Sequence, residues 1–331
     1  MDHQSEPQKN AFINLFKNYE ENRLRSLWRL IITTIIFVAA GAALIVPLAL
    51  MGMQESQSLN HFIVNIACII GVWLAANWVD RRLFSDTGMS STSRWWQEFW
   101  FGMFLGFALL AAIFTIQYNV GWVTITDTMV TKVAGANFWL ALIMPVALYI
   151  SVGFMEELVF RGYLFLNVAE GIKGKYLNAK TAIWVALILT SAIFGIAHMG
   201  NPEASLVSTT NIALAGVMLG LPYILTGRLG MSIGLHITWN FSEGIIFGFP
   251  VSGMPFKSAK FLEISQGGPD LWTGGSFGPE AGLLGLFAMI AGMAIMSWYI
   301  KIKDGTLTLF TAIAEPPHRP DIVQTNYASA D

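Results

Sequence analysis

The sequence predicts an all-α fold, a polytopic transmembrane helical bundle of about eight spans. Three observations carry that reading. The 331 residues are 54% hydrophobic and only 12% charged, with a mean hydropathy of +0.56; soluble domains carry about 25% charged residues. Apolar stretches of about 20 residues, enough to cross a bilayer as helix, recur along the chain. Lysine and arginine alternate between successive connections, the pattern that sets membrane orientation. The net charge of −2 leaves no basic excess for nucleic acid, so the lipid bilayer is the first partner expected.

Residues 1–28 are polar and are expected as a retained cytoplasmic tail, because the apolar run behind them is too long for a signal-peptide core. The spans then fall at roughly 29–53, 61–79, 99–118, 137–157, 181–198, 206–226, 230–249 and 281–300, within one membrane domain, 29–303. The fourth is expected to continue as helix to about residue 168. Gly200-Asn201-Pro202 and Thr226-Gly227 punctuate two of the joins. Residues 304–331 read as a second cytoplasmic tail. Trp73, Trp78, Trp95, Trp96 and Trp100 fit an interfacial aromatic belt. The single cysteine, Cys68, lies in an apolar run and reads as a small packed hydrophobe.

Orientation follows from the cations. Taken alternately, the segments outside the spans hold 5, 3, 3, 1 and 3 Lys and Arg on one side and 0, 1, 0 and 2 on the other, with Arg161 standing apart as the last of the 19. That asymmetry places both termini in the cytoplasm of a multi-pass protein of the cell membrane, and an even number of spans agrees.

Against this apolar background stand a few polar groups, and an ionisable group inside a membrane is by default a functional-site hypothesis. Glu156 and Glu157 are adjacent, so they sit about 100° apart on a helix. Glu157 and Arg161 are four residues apart and share a face. The economical assignment pairs Glu157 with Arg161 structurally and leaves Glu156 facing a cavity, although the two glutamates are interchangeable at this point. Phe194 and His198 share a helix face, as do His236 and Asn240. Imidazole shuttles protons near neutrality, and a histidine N–H with an asparagine amide can bind a developing oxyanion. Glu, two His and Asn converging from separate spans supply a water-activating base and an oxyanion site, an inventory that fits amide hydrolysis in an intramembrane active-site cavity.

The series Glu156-Glu157-x-x-x-Arg161, Phe194-x-x-x-His198 and His236-x-x-x-Asn240 resembles the CAAX-protease and bacteriocin-processing (CPBP, or Abi) family of intramembrane endopeptidases. Phe160-Arg161-Gly162, Thr226-Gly227-Arg228-Leu229, Gly248-Phe249-Pro250-Val251-Ser252-Gly253 and the run Thr273 to Glu280 are similar to its prokaryotic members, and the resemblance covers about 145–290. It implies a glutamate-dependent membrane protease with Glu156, Glu157, His198, His236 and Asn240 in the catalytic set and Arg161 and Phe194 in support. Glu156 and His198 would activate water, and His236 and Asn240 would hold the oxyanion, with no acyl-enzyme. The implied substrate is a membrane-associated protein or peptide. A bacterial secreted peptide or bacteriocin fits these motifs better than the prenylated proteins processed by eukaryotic members. No cofactor is expected; zinc is the alternative, since two His and a Glu are possible ligands, but His-Glu-x-x-His spacing is absent.

Two readings compete: a non-catalytic membrane scaffold or bacteriocin-immunity protein that keeps the fold, and a proton-coupled transporter. Inverted repeats would favour the transporter, and none is apparent. Straight perpendicular spans would not bring Glu156, His198 and His236 together, so helices are expected to tilt or break around a water-filled cavity. Glu243, three residues after Asn240, is expected as a structural partner. The Gly-rich connection 251–280 is compatible with a lid, a gating loop or a passive link.

Overall fold

The computed structural model describes residues 11–18, 21–50, 57–133, 135–174, 176–254 and 259–317. It is a polytopic helical bundle. Helix α1 covers Ser26–Leu50; α2 covers Gln57–Leu74 and runs on through a wide π turn, Ala75–Val79; α3 covers Ser93–Asn119. Then come strand β1 (Val123–Thr131) and α4 (Phe138–Glu157), which continues through a π-helical stretch, Leu158–Phe165, into α5 (Leu166–Ile172). Helices α6 (Ala179–Ala197), α7 (Leu206–Thr226) and α8 (Gly230–Phe241) follow, the last extended by a π turn, Ser242–Ile246. Strand β2 (Ala259–Gln266) and α9 (Leu283–Asp304) complete the order.

Seven helices among the described residues are long and apolar enough to cross a membrane, and the chain is a multi-pass membrane protein. Their outward faces are apolar, as at Ile35, Val38, Ile188 and Trp298. The expected eighth span, 230–249, runs from the Arg228–Glu98 end of the bundle to the ribbon end, but inside protein rather than against lipid. It is helical only to Ile246, and every residue from Gly230 to Asn240 is buried. A hydropathy window registers apolarity but not whether lipid or protein supplies the apolar surroundings. Here protein does: α8 is a short buried helix packed against α3, α4 and α7.

What allows α8 its place is glycine. Gly102 and Gly106 on α3 face Gly230 and Gly234 on α8, the two helices running parallel. A Cβ at Gly102 would strike the Met231 carbonyl oxygen, and one at Gly234 the Phe99 carbonyl oxygen. On the other flank, Gly153 of α4 packs directly on Ile237. Small residues four apart let membrane helices meet backbone to backbone, where van der Waals contact is densest.

The bundle has two unlike ends. At the N-terminal end, buried Arg23, Arg29 and Arg82 surround Asp80 and Glu170. Tyr163 and Asn167 donate to Asp80 at 2.9 and 2.8 Å. Arg228 bridges Glu98 (2.6 Å) and Asp304 (3.4 Å). Segments expected as flexible tails are packed here. Arg23 is 4% exposed, Phe310 N–H donates to the Ile224 carbonyl, and Ile313 and Ala314 join the core; the outer parts of both tails, 1–10 and 318–331, lie outside the described residues, as do the cations Lys9, Lys175, Lys257 and Arg319. Trp95, expected in the belt, is instead a core residue whose Nε1 donates to the Gly88 carbonyl at 3.0 Å. Its neighbours Trp96 and Trp100 are exposed.

At the opposite end, β1 and β2 form an antiparallel ribbon with a bulge between Ile125 and Asp127. The ribbon was not anticipated. Its signal was present in the β-branched run Val123-Thr124-Ile125-Thr126 and in Phe261-Leu262-Glu263-Ile264, both strand-favouring compositions.

Gly234→Val is expected to lower the thermal midpoint of the detergent-solubilised protein, because overpacking costs about 1–3 kcal/mol and the obstructing atom is backbone. Gly41→Ala, where nothing lies within 4 Å of the added carbon, is expected to leave the midpoint unchanged.

Candidate active site

Glu156 and Glu157 leave α4 in different directions. Glu157 is fully buried, and its Oε1 accepts from Arg161 Nη1 at 2.9 Å and from His236 Nδ1 at 2.7 Å. Arg161 also donates from Nη2 to the Gly216 carbonyl of α7 at 3.1 Å, and its guanidinium lies 4.4 Å from the centroid of the Phe194 ring on α6. This is a cation–π contact in a desolvated setting. One buried carboxylate and one guanidinium thus join α4, α6, α7 and α8.

Glu156 turns the other way. Its side chain is 18% exposed, and its Oε2 lies 3.7 Å from His236 Nε2. His236 is therefore flanked by a carboxylate at each ring nitrogen. A carboxylate accepts, so Nδ1 carries a proton toward Glu157. His198 caps α6, and its Nδ1 lies 2.8 Å from the Phe194 carbonyl oxygen. A carbonyl also only accepts, which puts the proton of neutral His198 on Nδ1 and leaves the Nε2 lone pair free. The Phe194 ring packs 4.7 Å from the His198 ring and edge-on to His236 at 6.4 Å.

Glu156, His198, His236 and Asn240 line one cavity of about 790 Å³ at the ribbon end of the bundle. Glu157, Arg161 and Phe194 lie behind its wall. Straight rods were expected to keep these groups apart because Glu156 was placed at the end of a span. In the structure Phe138–Ile172 is one 35-residue span, and Glu156 falls near its middle. The expected breaks take the form of π-helical turns directly after Glu157 and shortly after Asn240. Such wide turns recur at functional sites.

Several lining residues carried no sequence expectation. Tyr149, Asn65 and His61 face the cavity from α4 and α2, and Ser252 and Glu280 from the 251–280 connection. Ser252 Oγ donates to Glu280 Oε2 at 2.6 Å, and Asn201 Nδ2, just past His198, donates to the Ser252 carbonyl at 2.9 Å. Burial pushes the Glu280 carboxyl above the usual carboxylate range, with the Ser252 hydroxyl opposing it. In the sequence Glu280 closes the run Thr273 to Glu280 that carries part of the resemblance, but no site role was read for it. Glu243 is fully buried in the π turn, packed near Gly278 and outside the cavity lining. Among the described residues no group of three His, Cys, Asp or Glu side chains is placed to hold a metal ion.

Removing one partner of a buried ion pair costs about 3–5 kcal/mol, because the remaining charge is left uncompensated. Arg161→Met is therefore expected to depress the thermal midpoint strongly. The double variant Arg161→Met/Glu157→Gln is expected to recover much of the loss, as read by thermal unfolding in the same detergent.

The model of the family described as Rce1-like, type II CAAX prenyl endopeptidase Rce1-like, matches residues 137–242. That segment runs from the start of α4 to the residue after Phe241 and contains Glu156, His198, His236 and Asn240. Among curated proteins, the uncharacterized protein YyaK of Bacillus subtilis (strain 168) is 24% identical over 194 residues, which is 55% of this chain and 58% of that relative. No solved structure matches. The resemblance read from the three motifs holds over this stretch, and residues 137–242 are similar to the Rce1-like type II CAAX prenyl endopeptidases.

Proposed function

We propose that this chain is an intramembrane endopeptidase that hydrolyses a peptide bond of a membrane-associated protein or peptide. The observation that carries the reading is the placement of Glu156, His198, His236 and Asn240 around one cavity within the bundle, with the Rce1-like match over the same residues in support. A volume near 790 Å³ is within the range of small-ligand sites and takes a few residues of extended peptide.

In this mechanism Glu156 is the general base. It removes a proton from water while the His198 Nε2 lone pair orients that water. The oxygen attacks the scissile carbonyl carbon, and the carbonyl oxygen becomes an oxyanion. His236 and the Asn240 amide receive it. For His236 to donate from Nε2 while Nδ1–H stays on Glu157, the ring must hold both protons; that form balances Glu156 and Glu157 against Arg161 and His236. Glu156 then returns its proton to the departing amine as the C–N bond breaks, leaving a carboxylic acid and an amine. Glu157, Arg161 and Phe194 act as positioning residues that fix the two imidazoles. No step passes through a metal. The substrate is proposed to be a bacterial membrane-associated peptide, and the site of action the cell membrane with both termini in the cytoplasm.

Loss of a general base costs about 10²–10⁴-fold in rate. Glu156→Gln is therefore expected to remove peptides with new C-termini from the membrane and secreted peptidomes of cells carrying the chain, at matched expression. Identical peptidomes would reject the peptidase in favour of a non-catalytic scaffold or immunity protein. A cysteine appended after Asp331 in a Cys68→Ser background is expected to resist a membrane-impermeant thiol label added to intact cells. Labelling there would reverse the orientation.

A further inference from the structure

We propose that Glu280 makes this cavity selective for a cationic residue close to the scissile bond. The inference rests on the peptidase reading and names the substrate class of the same site. The argument begins with charge. Two carboxylates, Glu156 and Glu280, line the cavity, and no lysine or arginine lines it among the described residues. Arg161 lies behind the wall and is committed to Glu157, Gly216 and Phe194. An acidic side chain in the cavity would meet these two carboxylates, while the His236 imidazolium is already set against Glu156 and Glu157. A lysine or arginine side chain would meet a carboxylate that has lost most of its water.

Glu280 is built into this position. It is 5% exposed and reaches the cavity from a connection outside the spans. The Ser252 hydroxyl holds its carboxylate, and Asn211 Nδ2 donates to its backbone carbonyl at 3.0 Å. Asn201 ties Ser252 to the turn that follows His198. The cation-binding group and one water-positioning imidazole are therefore parts of one braced unit. A charge held in a poorly solvated pocket attracts its opposite far more strongly than one in water, so truncating it changes affinity for a charged ligand selectively. Burial that holds the carboxyl above its usual range is relieved when a cation arrives, which suits a group that meets its partner only in the complex.

The test uses the full chain in nanodiscs of phosphatidylcholine, a lipid with no net charge. The probes are N-palmitoylated alanine-rich decapeptides that carry one lysine at each position in turn, with norleucine and glutamate counterparts. Binding is read by competition against a fluorescent member, and cleavage by mass spectrometry of the same samples. At one or two positions lysine is expected to bind about 10-fold more tightly than norleucine, and glutamate more weakly than either. Glu280→Gln is expected to collapse the lysine-to-norleucine ratio to within about twofold, and Glu280→Asp to retain most of it. A wild-type scan with no lysine preference overturns the proposal, and so does a preference that survives Glu280→Gln. Should that variant fail to fold, the wild-type scan decides alone. Products that depend on Glu156 without any lysine preference would reject this inference and leave the peptidase standing. Lysine preference without such products would do the reverse.

Discussion

The Glu157 carboxylate, sealed from water and shared by Arg161 and His236, is the interaction on which the rest of the site depends. A lone carboxylate there would be ruinously unstable, since a buried charge is tolerated only with close partners. Each partner brings a helix with it. His236 brings α8, and Arg161 brings the carbonyl of Gly216 and the ring of Phe194. The same contact that neutralises the charge also sets the rotation of α8 about its axis. That rotation turns His236 Nε2 toward Glu156 and carries Asn240, one turn on, to the cavity wall. Stability and the orientation of polar groups are here one constraint.

The glycine seam serves the same end by different physics. Dispersion between two backbones in contact is short-ranged and unforgiving of an added methyl. It fixes how near α8 lies to α3 and α4, while Glu157 fixes how α8 is turned. The π turns after Glu157 and after Phe241 supply a third element: each widens the helix just beyond a residue that faces the cavity, Glu156 and Asn240. Phe194 completes the arrangement, with one face given to a guanidinium and its neighbourhood to two imidazoles, so that the rings are held by packing as well as by hydrogen bonds.

Much of this was legible in the residues. Long apolar runs named the spans, and the alternation of Lys and Arg anticipated that Arg23, Arg82, Arg94, Lys173, Arg228 and Lys301 would gather at one end of the bundle. Helical spacing alone placed Glu157 with Arg161 and His236 with Asn240. The illegible part has physical causes. Hydropathy does not distinguish lipid from protein surroundings, so α8 read as one more span. Contacts between residues distant in sequence, such as Arg23 with Glu170, have no local signature, so a polar N-terminal segment read as a loose tail. The ribbon paired two strands separated by five helices, α4 to α8, and neither strand alone exceeds the noise of a loop. Glu280 stood in a recognised run but was given no role, because a single acid at a helix start has an ordinary structural explanation.

The buried helix α8 has a consequence for how the protein is made. A segment of seventeen residues, Gly230–Ile246, with no face prepared for lipid, gains little from partitioning into a bilayer by itself. It becomes stable only when α3 and α4 are present to receive its glycines and Glu157 is present to receive His236. Seven earlier helices of the described chain precede it in synthesis, and α9 follows. Biogenesis must therefore leave the faces of α3 and α4 that receive α8 uncovered until α8 is in place. Until that moment the Glu157 carboxylate lacks its histidine, and assembly of the helix bundle and assembly of the polar site occur in the same step.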